Sequence, residues 1–413
     1  MADPKKRTDF ESDARPEQMG LGLFLKWFLF GISLCLLFAL ANDFFRMALA
    51  FVLCIWGMVG PFLLSFAMVD LSNRMFRYGK YGLAERSAAL GLWLDGAVRP
   101  LVNLIGMPDS PFALFNSINM ASCLLFRGRF KQAHDILLKA LEQLRDLPEL
   151  DRGLAPLVMS QLAGAQYMLG RFREAERTLN RASQLNESRL GEVDLSEIEK
   201  GSLKLALAAD QYALGCLFDK LQEHRKSADR FEAAIEMLRN LPRSLDADGE
   251  LEANFLNALG EQQLYLDEID SARTNIERSL MIRQRLYGKN HPLIGSSLDC
   301  AGRLAMAQDD LAHADHCLKQ ALKVRERYAH LNPADLADTL VAMARLRQRQ
   351  QLYDEAQELL DRALTYKKSV FGDSYPDVAL VLESLSDLAG ARGDAAGAGL
   401  WANQAKTIRE NLN

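Results

Sequence analysis

The stretch LDCAGRLAMAQDDLAHADHCLKQALKVRERY, Leu298–Tyr328, reads as two short helices joined by a turn at Asp309-Asp310. Leu298, Ala301 and Gly302 share one face of the first helix, and Ala314, Leu318 and Ala321 recur at i, i+4 and i+7 on the second. Alanine and glycine belong at such positions because a larger side chain would push the paired helices apart. Working outward, the pattern returns every 42 residues. Ala272, Ala314, Ala356 and Ala398 keep that spacing, each preceded by twelve residues by Gly260, Gly302, Ala344 or Ser386. Ser279, Ala321, Ala363 and Ala405 follow by seven, and Leu256, Leu298, Leu340 and Leu382 stand four before the small residue. A fixed period marks an array in which each unit buries its apolar face against its neighbours.

Punctuation between units has the same regularity. GKNHP (Gly288–Pro292), HLNP (His330–Pro333) and GDSYP (Gly372–Pro376) each end one long helix and start another. Glycine or asparagine terminates a helix, and proline starts one but cannot continue it. Earlier units are less regular. Gly128, Phe130, Ala133, Leu137 and Ala140 form one, and Gly170, Phe172, Ala175, Leu179 and Ala182 the next. A third has Leu214, Gly215, Phe218, Phe231 and Ala234, with Ser227 in the usual alanine place and an offset of 52, so the stretch Asn186–Lys200 is extended. Gly79, Tyr81, Ala84 and Ala88 suggest a degenerate first unit.

This pattern resembles the tetratricopeptide repeat, and its 42-residue period resembles more specifically the repeats of kinesin light chains. The resemblance covers about 340 residues and implies an all-α fold, an α-solenoid of about seven or eight helix pairs. It further implies a groove lined by the first helices. In that register Asn254, Asn257, Glu261 and Tyr265 face the groove in one unit, Asp299 and Arg303 in the next, and Arg345, Gln348 and Arg349 in the one after. Asn257 matches the asparagine that such repeats use to hold a peptide backbone, and an amide offers both donor and acceptor for it. Asp299, Val341 and Glu383 occupy its place in neighbouring units, so the asparagine ladder is mostly missing. The arginines favour an acidic or carboxylate-bearing partner segment.

Two apolar runs, Leu21–Ala41 and Met47–Val69, precede the repeats. As a helix the first spans about 31 Å, enough for the hydrocarbon core of a bilayer. The expectation is a transmembrane hairpin over 21–69, with membrane lipid around it. A polar segment 1–20 precedes it, a connector or first repeat fills 70–111, and the repeat array covers 112–413. Lys5, Lys6, Arg7 and Arg15 lie before the runs and Arg74, Arg77, Lys80 and Arg86 after them, which places both termini in the cytoplasm of an integral membrane protein. Ala39-Leu40-Ala41 also permits a cleaved signal peptide. Apolar Phe115, Ile118, Leu125, Phe126, Leu157 and Met168 fall at groove positions, so a helix is expected to fill the groove there, either a partner's or, as the favoured reading, the chain's own segment Leu90–Met107.

Net charge is −5 with 25% charged residues, so nucleic acid is not an expected partner. The six cysteines form no CxxC, and no disulfide framework or zinc ribbon is expected. Phosphate-binding loops, nucleophile elbows and HExxH are missing. His313, His316 and Cys317 are the one cluster with metal-ligand character. No cofactor is expected. The leading functional reading is a membrane-anchored adaptor that holds a protein or peptide partner. A structural subunit of a membrane complex is the alternative, and a metal-dependent enzyme a remote one.

Overall fold

The computed structural model describes residues 68–69, 71–72, 75, 81–104, 111–145, 148–241, 249–329 and 332–411. Fifteen α-helices and no strand lie among the described residues. They are α1 (Tyr81–Leu104), α2 (Pro111–Phe126), α3 (Phe130–Arg145), α4 (Pro148–Met168), α5 (Phe172–Leu190), α6 (Glu197–Lys220), α7 (His224–Arg239) and α8 (Glu250–Tyr265). The series continues with α9 (Ile269–Tyr287), α10 (Pro292–Ala307), α11 (Leu311–Arg327), α12 (Pro333–Arg349), α13 (Tyr353–Phe371), α14 (Pro376–Ala391) and α15 (Ala395–Glu410). From α2 onward, even-numbered helices are the first of a pair and odd-numbered ones the second.

The turn within each pair is one device used seven times. Gly128, Gly170, Gln222, Asp267, Asp309, Gln351 and Gly393 all have φ between 58° and 80°. In each case the next N–H reaches back to a carbonyl five residues earlier, as from Asp310 to Ala305 and from Leu352 to Arg347, both 2.9 Å. The left-handed residue's own N–H bonds the carbonyl three before it, as from Asp309 to Met306 at 3.0 Å. These paired bonds are the Schellman closure, which satisfies orphan carbonyls and reverses the chain.

Within a pair the crossing is set by small residues. A Cβ on Gly215 would stand 2.5 Å from the Phe231 ring, and one on Gly302 would stand 2.6 Å from Leu318 Cγ. Where serine replaces glycine or alanine, its hydroxyl finds a carbonyl on the partner helix: Ser227 donates to Gly215 O at 2.8 Å and Ser386 to Ala398 O at 2.9 Å. Ser72 donates to Ala84 O at 2.9 Å over the same twelve-residue separation, so the unit around Ala84 and Ala88 carries the same crossing.

Two compact units are present. The first, Met1–Asp151, contains α1 to α3, with α1 against α2 and α2 against α3. Ile118 is buried there, while Phe126 stays 62% exposed. The second, Arg152–Asn413, contains most of α4 and all of α5 to α15. Each helix from α7 to α14 packs on the helices before and after it, and first helices also touch first helices two along. One apolar cluster joins Leu336, Leu340 and Ala344 of α12 to Leu360 and Ala363 of α13 and to Val378, Leu382 and Leu385 of α14. The 52-residue offset is absorbed by the 24-residue α6, whose start is a capping box between Ser196 and Glu199.

The expected integral membrane placement requires correction. No helix among the described residues is long and apolar enough to cross a membrane. The expected hairpin over 21–69 lies outside the described residues except for Met68 and Val69. What the structure carries is the helical repeat array, and the functional reading is built on that alone.

Candidate functional site: the first-helix face of the second unit

Four first helices bring their polar side chains to one face. Asp219 and Lys220 end α6, Asn257, Glu261 and Tyr265 come from α8, Asp299 and Arg303 from α10, and Asp338 and Arg345 from α12. Their charges act on one another across the helices. Burial raises the Glu261 carboxyl, Arg303 opposes this, and Asp219, Asp299 and Asp338 push it further up. The Tyr265 phenol, on a side chain that stays exposed, feels both Arg303 and Arg345.

Of the residues read from sequence as groove-lining, Glu261, Tyr265, Asp299, Arg303 and Arg345 are thus brought together, whereas Asn254, Gln348 and Arg349 bond elsewhere. Arg303 is 2.8 Å from Glu261 Oε1 and 2.8 Å from Asp299 Oδ2. Burial works against its charge, but Asp299 and then Glu261 hold the guanidinium well above its ordinary value. Its charge is therefore already matched within the chain. Arg349 donates to Met306 O and pairs with Asp309 at 2.8 Å, clamping the turn of the preceding pair. Arg345 donates to the Ser384 hydroxyl at 3.3 Å and Gln348 to Asp387 O at 3.4 Å, both on α14. Asn254 accepts from Arg283 at 2.8 Å. Tyr265 is 44% exposed and stacks on His224, with centroids 4.3 Å apart. His224 in turn bonds Gln262, which donates to Asp219 at 2.8 Å.

Asn257 differs from these. It is 6% exposed, and its amide nitrogen contacts Cys300 Sγ at 3.4 Å and Ser296 Oγ at 3.5 Å. Its oxygen has no hydrogen-bond partner among the described residues, and neither has Asp299 Oδ1, although Asp299 is 3% exposed. These two acceptors occupy the same register position in successive units.

Sequence reading missed a buried basic ladder. Arg283, Arg325 and Lys367 stand 42 residues apart on α9, α11 and α13, and all are buried. Each reaches the start of the following first helix. Arg283 donates to Leu293 O at 3.0 Å and to Ser297 Oγ at 2.7 Å; Arg325 donates to Asp335 O and Thr339 Oγ1. Lys367 bonds Asp377 Oδ2 at 2.7 Å. Basic residues at the array's own period were the available signal. They are hidden among many other second-helix basics that pattern cannot sort by depth.

The histidine cluster separates on α11. His313 Nε2 lies 3.5 Å from Cys317 Sγ, and His316 turns to Gln320 at 2.7 Å. No group of three His, Cys, Asp or Glu fit to hold a metal occurs among the described residues. A separate cleft of about 340 Å³ between α4, α5 and α6 is lined by Leu157, Leu203 and Ala206 around Asp210. Asp210 accepts from Ser160 at 2.7 Å and from Ser183 and Asn186 at 3.4 Å; burial raises its carboxyl against these bonds.

Residues 112–188 and 335–411 match the tetratricopeptide repeat family model. No curated protein matches the chain by sequence. Among solved structures it is similar to the apo quorum sensor NprR from B. thuringiensis, at 13% identity, TM-score 0.57, covering 83% of this chain and 87% of that one. It is also similar to a Rap protein complexed with Competence and Sporulation Factor, at 12% identity, TM-score 0.53, covering 84% and 98%. A third is the Rap conjugation gene regulator of plasmid pLS20 in complex with a Phr peptide, at 12% identity, TM-score 0.53, covering 84% and 96%. At such identities the likeness is one of fold. The two matched stretches are similar to tetratricopeptide repeats, and further helix pairs lie between them.

Proposed function

We propose that the chain is a binding scaffold whose second unit holds a protein or peptide segment on its first-helix face. The observation that carries this is the pair of buried acceptors without partners, Asn257 Oδ1 and Asp299 Oδ1. A buried polar atom left unpaired is disfavoured by about 1–3 kcal/mol, so such atoms call for an explanation. Turned outward to the face, they would accept from backbone N–H groups of an extended segment, with Asn257 in the role that kinesin-light-chain-type repeats give it. The similar Rap structure holding a Phr peptide supports a peptide as the partner class. Arg345 has no carboxylate partner among the described residues and would take an acidic group of the segment, whereas Arg303 is matched already. Tyr265, with an open face, would add an apolar contact. Asn254, Gln348 and Arg349 would frame the site and hold neighbouring units in register. We read the chain as a binder and not as an enzyme, and assign no cofactor.

The test is to pan a random peptide display library against the intact chain and measure the enriched peptide by calorimetry. Asn257→Ala and Arg345→Glu are each expected to weaken its binding about tenfold, roughly the 1.4 kcal/mol of one good polar contact. Failure to enrich any peptide, or affinity indifferent to both substitutions, would remove the reading.

A further inference from the structure

In an open repeat array each unit meets only its neighbours. The second unit departs from this. Tyr375, in the turn between α13 and α14, donates its hydroxyl to Tyr167 O at 3.1 Å across 208 residues. Its ring stacks on Phe371 with centroids 4.4 Å apart, lies 6.0 Å from Phe172, and is 5% exposed. Lys220, at the end of α6, stands 2.8 Å from Asp377 Oδ1, while Lys367 holds the other oxygen of Asp377 and also Asp338, each at 2.7 Å. Arg409 donates to Lys220 O at 3.2 Å and pairs with Glu383 at 3.1 Å; Gln222 donates to Glu383 at 3.3 Å. The late repeats therefore close onto the early ones.

The chemistry of this contact suits reversible closure. Tyr375 seats as one apolar plug in the cluster of Phe172, Leu179, Leu214, Leu217 and Phe218, with Phe371 packed against it, and a few polar bonds frame that contact. Two lysines share Asp377. If Lys220 withdraws into water, Asp377 keeps Lys367, so no orphaned charge remains at the start of α14. Buried ion pairs of this kind select one geometry more than they stabilise it, because desolvation offsets most of their attraction. A single apolar plug framed by such pairs is the kind of interface that hinge closure makes and breaks as a unit.

We propose that the second unit is a clasp: the α13–α14 turn, through Tyr375 and Asp377, docks on the ends of α4 and α6 and releases from them, gating access to the first-helix face. The closure is built from this chain's own residues, so it stands or falls separately from the identity of any partner.

The experiment is pulsed electron–electron distance measurement on the full chain. Nitroxides are attached through a genetically encoded azido amino acid at positions 184 and 373. The expected result is a dominant short distance in the otherwise unaltered protein and a second, longer population, at least tenfold enriched, in Tyr375→Ala and in Lys220→Met. Arg362→Met, which removes an exposed pair with Glu326 between adjacent repeats, should leave the distribution unchanged. If Tyr375→Ala loses helical circular dichroism, Lys220→Met decides the matter, since that side chain is 20% exposed and leaves Asp377 paired. A single short distance in Lys220→Met with full helicity, or no short distance in the unaltered protein, would overturn the clasp.

Discussion

Gln351 holds a φ of 62°, the left-handed conformation that its repeat equivalents Gly128, Gly170 and Gly393 adopt without a side-chain clash. For an L-residue that conformation costs about 1–2 kcal/mol, partly offset by the extra entropy glycine loses on folding. Gln351→Gly should therefore stabilise the protein by roughly 0.5–1 kcal/mol, seen as a higher urea midpoint; a lower midpoint would show that the glutamine side chain contributes more than the turn geometry implies. Two aspartates work in opposite directions with pH. Burial raises Asp210, so its folded form holds a proton more tightly than the unfolded chain; its contribution is present below the unfolded value of about 3.9 and is lost as pH rises through the folded value. Lys220 and Lys367 lower Asp377 despite its burial, so its contribution is present above about 3.9 and is lost as pH falls toward its lower folded value. Urea midpoints across pH should then show a smaller decline from acid toward neutrality in Asp210→Asn, and a flatter acid limb in Asp377→Asn. The small residues Gly215, Gly260 and Gly302 were legible because spacing alone marks them. The left-handed Gln222, Asp267, Asp309 and Gln351 were not, since none has the glycine signature of such a turn.

At the scale of elements, each first helix owes its stop to the Schellman closure, and helix starts are capped by groups that vary from unit to unit. Asp310 accepts from His313 N at 2.9 Å, the capping role that its place at the turn suggests. What joins successive pairs is the buried ladder of Arg283, Arg325 and Lys367, each bonded to the first turns of the next first helix. Arg325→Met keeps the apolar stem but leaves Asp335 O and Thr339 without the charged donor. A loss of roughly 1.5–3 kcal/mol is expected, the range for hydrogen bonds to charged groups, measured by chemical denaturation. A change under about 0.5 kcal/mol would mean that the ladder sets register without stabilising it. Helix pairs and their order were legible from the 42-residue period. The joins between pairs were legible only as Gly, Asn and Pro punctuation, because depth of burial has no signature in a single basic residue.

At the scale of the molecule, α14 and α15 close the last apolar cluster. Truncation after Phe371 would bare Leu336, Leu340, Leu360 and Ala363, which pack against Val378, Leu382 and Leu385, and would remove Tyr375 and Asp377 as well. Such a chain should elute as higher-order species in size-exclusion chromatography, and a monomer with unchanged thermal midpoint would contradict the role given to the final pair. The expected groove arginines show how far pattern reading carries. Tyr265, Arg303 and Arg345 do lie on neighbouring first helices. Their availability could not be read, because Arg303 finds Glu261 one repeat away and Arg349 finds Asp309 at the preceding turn. The membrane expectation rested on hydropathy upstream of the array and has no counterpart among the described helices.

By itself the sequence determined that the chain is a stack of helix pairs, because period, small crossing residues and helix-ending joins are local properties that each unit repeats. Only the tertiary structure decided which polar side chains are matched inside the protein, which acceptors stay open, and that Tyr375 and Asp377 return to α4 and α6. Those outcomes depend on small rotations between pairs, summed over a half-dozen units, and no local spacing records that sum.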